Sequence, residues 1–143
     1  MALDFQVTFD CADPARMGEF WAAALGYEVQ PPPPGFATWQ AFLASIDIPE
    51  ELWDIRNAVI DPEGVRPRIL FNKVPEGKTA KNRVHLDLRV AAREVEGEER
   101  EGMLTRKVDE LMTLGATLVD EVEEMGERWV VMQDPEGNEF CVA

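Results

Sequence analysis

The chain of 143 residues, 45% hydrophobic and 29% charged, is long enough for one ordinary domain or for two small modules sharing a core, and its composition excludes a disordered protein. Its 28 acidic residues against 14 basic ones give a formal charge of -14, a field that repels phosphate backbones and anionic lipid surfaces and so argues against nucleic acid and membrane as partners. The longest apolar run, Phe20 to Leu25, falls far short of the roughly 20 residues of a membrane span, and no basic start leads into an apolar stretch, so a soluble cytoplasmic protein is expected.

Phe5, Val7, Phe9 and Cys11 alternate with Gln6, Thr8 and Asp10, the period of two that predicts a half-buried first strand. Asp13-Pro14 supplies a helix N-cap with proline in the first turn, and Met17, Phe20, Trp21, Ala24 and Leu25 recur at helical spacing until Gly26, which predicts a helix over Pro14 to Leu25. A short strand over Tyr27 to Gln30 ends at Pro31 to Pro34, where four successive backbone donors are missing. Trp39, Phe42, Leu43 and Ile46 suit a short helix, and Pro49-Glu50-Glu51 opens another turn. Asn57 to Ile60 and Arg68 to Val74 are expected as strands on either side of the turn Asp61-Pro62-Glu63-Gly64.

The second half repeats this order. Val84, Leu86, Leu88 and Val90 alternate against His85, Asp87 and Arg89, predicting a strand. An acidic, glycine-punctuated connection from Glu94 to Gly102 leads to Leu104, Val108, Leu111 and Leu114 at helical spacing, stopped by Gly115. Strands are expected over Thr117 to Val122, Trp129 to Gln133 and Asn138 to Val142. Leu25-Gly26 recurs as Leu114-Gly115, and Asp61-Pro62-Glu63-Gly64 recurs identically as Asp134-Pro135-Glu136-Gly137. A duplicated strand-helix-strand-strand-strand unit explains both, with module one over about residues 1–77, an insertion over about 31–56 and module two over about 82–143.

On these landmarks the chain resembles the vicinal oxygen chelate superfamily, which includes glyoxalase I, extradiol dioxygenases and the bleomycin and fosfomycin resistance proteins. The segments Phe71-Asn72-Lys73-Val74-Pro75-Glu76, Lys81-Asn82-Arg83-Val84-His85-Leu86-Asp87 and Asn138-Glu139-Phe140-Cys141 resemble, more narrowly, the glyoxalase-like proteins common in actinobacteria. The resemblance implies an α+β fold of paired βαβββ modules whose mixed sheets curve into a cup, with helices outside and a small-molecule site inside. It also implies a homodimer, since such proteins commonly pair through their modules.

Enzymes of this group carry one His or Glu on each of four strands around a divalent ion that keeps open positions for two vicinal oxygens of a substrate. Only His85 matches that pattern. One alignment of the two copies puts Gln6 opposite His85 and another puts Thr8 there; neither is a strong ligand. The strand from Arg68 to Val74 has no Glu, Asp or His, so the ligand expected near Leu70 or Phe71 is missing. On the last strand the usual carboxylate position falls at Cys141, with Glu139 two residues earlier on the same face.

The expectation is therefore a protein without the usual metal site and with no cofactor, binding an organic metabolite. Gln6, Thr8, Trp39, Phe71, Glu139 and Cys141 are the candidate ligand-binding residues, and His85 with Asp87 the candidate acid–base pair, because residues two apart share a strand face. The alternative is a lyase, isomerase or hydrolase working through His85 and Asp87, with an unconventional metal site drawn from Asp87, Glu139 or Cys141. Lys78, Lys81 and Arg83 form the main basic cluster, read either as an anion dock or as a linker whose cations pair with neighbouring carboxylates.

Overall fold

A computed structural model describes residues 1–143. The fold is α+β, with two four-stranded mixed sheets, and the chain divides into two units, Met1–Gly77 and Lys78–Ala143.

In the first unit β1 (Val7–Cys11) turns Val7, Phe9 and Cys11 toward α1 (Pro14–Leu25) and leaves Gln6, Thr8 and Asp10 on the uncovered face of the sheet. The Phe9 ring meets Trp21 edge-on at 5.3 Å and Phe71 at 5.5 Å, so the strand and helix share one aromatic core. Helix α1 has the expected bounds for the expected reasons. The Asp13 carboxylate accepts from the Arg16 N–H at 3.2 Å, Pro14 occupies the first turn, and Gly26 ends the helix in the left-handed region at φ 69°.

Strands β2 (Glu28–Val29), β3 (Arg56–Ile60) and β4 (Ile69–Lys73) complete this sheet in the order β1-β4-β3-β2, with β1 and β4 parallel. The insertion carries α2 (Trp39–Ser45), capped by the Thr38 hydroxyl, and a single 3₁₀ turn at Glu50–Leu52. No residue of α2 is fully buried; its aromatic side meets Phe36 edge-on through Phe42, a satellite cluster rather than part of the main core.

The second unit repeats the topology. Strands β5 (Asp87–Leu88), β6 (Thr117–Glu124), β7 (Glu127–Gln133) and β8 (Glu139–Val142) lie in the order β5-β8-β7-β6, again with the first and last strands parallel. Helix α3 (Gly97–Leu114) buries Leu104, Val108 and Leu111, and Leu88, Val130, Met132, Phe140 and Val142 are buried with them. The β6–β7 hairpin closes through Met125 and Gly126, both at positive φ, 53° and 78°, the conformation whose twist suits a two-residue hairpin.

Two elements differ from expectation. The strand expected over Val84 to Val90 contracts to Asp87–Leu88, because its single neighbour β8 offers only four residues; the backbone bonds Cys141 N–H to Leu86 O and Val90 N–H to Ala143 O mark the limits of that pairing. Conversely, α3 begins at Gly97 and absorbs the Gly97 to Gly102 part of the acidic connection. Glu98 and Glu99 fall in its first turn, where carboxylates favour the positive end of the helix dipole, and Glu101 pairs with Arg128 on β7. No helix is long and apolar enough to cross a membrane.

Candidate functional site

The uncovered face of the second sheet brings three of the expected residues together. Parallel pairing sets Asp87 opposite Cys141, and antiparallel pairing then sets Cys141 opposite Val131, so these side chains stand in one row on the face away from α3. His85 precedes Asp87 by two residues and shares its face; its Nδ1–H donates to Asp87 Oδ1 at 2.9 Å. That bond fixes the tautomer and leaves Nε2 free to accept or to deliver a proton. The side chains of His85 and Asp87 are 42% and 58% exposed, so a ligand can reach both.

Cys141 is buried beside them, and its thiol donates to Asp87. Burial pushes the Cys141 thiol up, and the Asp87 charge and hydrogen bond push it in the same direction. At neutral pH the group is a thiol, which disfavours its use as a nucleophile paired with His85. Trp129 and Val131, half-buried on the same face of β7, supply apolar surface next to the polar row.

Glu139 is held differently. Its side chain, 12% exposed, accepts the backbone N–H of Asn82 at 2.9 Å and pairs with Lys78 at 3.0 Å. These contacts tie the segment before β5 to the start of β8, so the Lys78 part of the basic cluster is a linker clamp. The Asn82 hydrogen bond first, and then the Lys78 contact, lower the Glu139 carboxyl to about 2 against the desolvation that opposes them. A carboxyl depressed in the folded state stabilises it fully above the ordinary carboxyl range and loses that contribution as pH falls toward the folded value. Glu139→Gln should therefore lower stability by about 1–2 kcal/mol at neutral pH, after screening by solvent. The difference between variant and wild type should shrink below pH 4.5 and vanish near pH 2. Denaturant titrations across that window check it; a difference independent of pH would refute the assignment.

In the first sheet Gln6 and Thr8 share the uncovered face, with the Gln6 amide nitrogen 3.5 Å from the Thr8 hydroxyl. Phe71, expected among the ligand-binding residues, is opposite Phe9 in the parallel register and fully buried on the α1 side. It is a core residue, and Leu70 takes the place beside Thr8. Trp39 donates its indole N–H to the Gln30 carbonyl at 2.7 Å and lies edge-on to Phe42. A residue not foreseen, Arg68, joins Gln6 on this face: its Nη1 donates to Gln6 Oε1 at 2.9 Å and its Nε to Gln30 Oε1 at 2.8 Å. Arg68 stands just before β4, and only the parallel register of β1 and β4 puts it next to Gln6.

This donor set bears directly on a divalent ion of the kind the resemblance implies. The first sheet does not fit one, since the Gln6 oxygen is taken by a guanidinium, Leu70 has no donor atom, and the Arg68 charge repels a cation on that face. On the second sheet His85, Asp87 and Cys141 could each offer one ligand atom, all within 4.8 Å of one another.

The model of the glyoxalase-like domain matches residues 6–143. The chain belongs to that family. The fold of this glyoxalase-like chain is shared by a glyoxalase/bleomycin resistance protein/dioxygenase family enzyme from Burkholderia phytofirmans PsJN (18% identity, 96% of this chain and 94% of that one, TM-score 0.63). It is shared also by the fosfomycin resistance protein FosX from Mesorhizobium loti (9% identity, 99% and 91% covered, TM-score 0.61) and by a possible glyoxalase from Bacillus cereus (14%, 99% and 98%, TM-score 0.57). No curated protein matches the sequence.

Proposed function

We propose that this glyoxalase-like chain binds an organic small molecule on the uncovered face of its second sheet, with His85 as the central hydrogen-bonding group. The observation that carries the reading is the accessible His85–Asp87 pair, one ring nitrogen committed to the carboxylate and the other free, set beside apolar surface from Trp129 and Val131. A fold shared with a fosfomycin resistance protein supports a small organic ligand. A second reading rests on the same pair: a histidine oriented by a carboxylate is equipped for general acid–base work, as a lyase, isomerase or hydrolase of small-molecule metabolism would need.

A thermal-shift screen of metabolites on wild type and His85→Ala tests both readings. Because the His85 side chain is exposed, the substitution alone should change stability by less than about 0.5 kcal/mol. A ligand present at a hundredfold excess over its Kd should stabilise wild type by about 2.7 kcal/mol, several degrees of melting temperature, and should lose most of that effect on His85→Ala. Ligands whose shifts survive the substitution unchanged would remove His85 from the site. Turnover of a confirmed ligand by wild type but not by Asp87→Asn would favour the enzyme.

A further inference from the structure

The uncovered face of the first sheet holds a cation with no carboxylate. Lys73, Arg66, Lys78, Lys107 and Arg128 each form an ion pair, and basic residues without one, such as Arg16, Arg56, Arg89 and Arg106, are exposed. Arg68 instead sits half-buried between two neutral amides, Gln6 and Gln30. The acidic residues of this face leave it alone: Asp10 accepts from Asn72, and Glu28 is exposed on the far strand.

The arrangement is built rather than incidental. The two glutamine oxygens accept from Nε and Nη1 and so fix the plane of the guanidinium, while its other N–H groups remain for a further acceptor. Gln30 is held in turn, its N–H donating to the Ala58 carbonyl at 2.8 Å and its carbonyl accepting from Trp39. Neutral amides orient a guanidinium without cancelling its charge, and a planar fork of N–H donors matches the two oxygens of a carboxylate or phosphate.

We propose that Arg68, held by Gln6 and Gln30, anchors an oxyanion site on the first module whose ligand is a small organic carboxylate or phosphate. The site rests on the first module alone, so its failure would leave the His85 reading standing. In a chain of charge -14 the mean field opposes anion capture, so the site selects ligands able to use the guanidinium fork rather than anions in general.

Calorimetric titration of the full chain with benzoate, phenyl phosphate and inorganic phosphate, against benzyl alcohol as a neutral control, tests this. Wild type should bind at least one of the three anions saturably and ignore benzyl alcohol; whether carboxylate or phosphate binds names the source of the oxyanion. Arg68→Gln should weaken that binding at least about tenfold, and Arg68→Lys, which keeps the charge and loses the fork, should weaken it less. Should Arg68→Gln fail to fold, Gln6→Ala and Gln30→Ala carry the test, each freeing the guanidinium and weakening binding about threefold or more. No saturation of wild type by any of the three anions at about 10 mM would overturn the proposal. So would a folded Arg68→Gln, or both glutamine variants, binding as tightly as wild type.

Discussion

Asp134→Ala is expected to cost about 3 kcal/mol and to lower the melting temperature by roughly 10 °C. The Asp134 carboxylate is only 3% exposed, and Oδ1 accepts the backbone N–H of Glu136 at 2.9 Å and of Asn138 at 3.0 Å, while the Asn138 amide donates to both of its oxygens. Alanine would strip the acceptor from two backbone donors in the turn that delivers the chain to β8, and an unmet buried donor costs more than the net contribution of the bond it loses. Asp134→Asn keeps an oxygen for the backbone bonds but sets its own amide donor against that of Asn138, so about half the loss is expected. Because β8 starts at Glu139, loosening this turn should also raise amide exchange at Cys141, whose N–H bonds the Leu86 carbonyl beside His85. A loss below about 1 kcal/mol for Asp134→Ala would mean the turn holds itself without the carboxylate.

The repeat of this turn shows how far the sequence can be read. Asp61 does in the first module what Asp134 does in the second, accepting the N–H groups of Glu63, Val65 and Arg66, and both modules share one strand order. Duplication, the α1 boundaries and the separation of Gln6 and Thr8 from Val7 and Phe9 followed from period and capping chemistry, which are local. What depended on pairing register did not follow. Phe71 and Leu70 are neighbours in sequence, and only the alignment of β4 with β1 decides that Leu70 stands beside Thr8 while Phe71 packs on Phe9. Arg68 was invisible for the same reason, since its partner Gln30 reaches it from beyond β2. In the second module His85 and Asp87 could be joined from their spacing alone, but the thiol of Cys141 becomes their neighbour only through the parallel pairing of β5 with β8.

A second large effect is expected inside α1, where glycine stands at a position that helix propensity alone would give to alanine. A Cβ built on Gly18 would lie 2.1 Å from Asn57 Oδ1 and 2.9 Å from its Cγ, so the Asn57 side chain fills the space that a methyl group would need between α1 and β3. Gly18→Ala gains about 1 kcal/mol of helix propensity but must displace Asn57 or lift the helix, at about 3 kcal/mol. The net expectation is a loss of about 2 kcal/mol. Asn57 Oδ1 is buried without a hydrogen-bond partner, so removing that side chain forfeits little, and Asn57→Ala alone should fall within about 1 kcal/mol of wild type. The two changes should therefore be strongly coupled: in the double variant the new methyl occupies the vacated volume, and stability should return to the wild-type value or slightly above it. Urea titrations of the four proteins measure the coupling directly. A double variant as unstable as Gly18→Ala would show that α1 rejects the methyl group for some reason other than Asn57, and an undamaged Gly18→Ala would show that the Asn57 side chain turns aside freely.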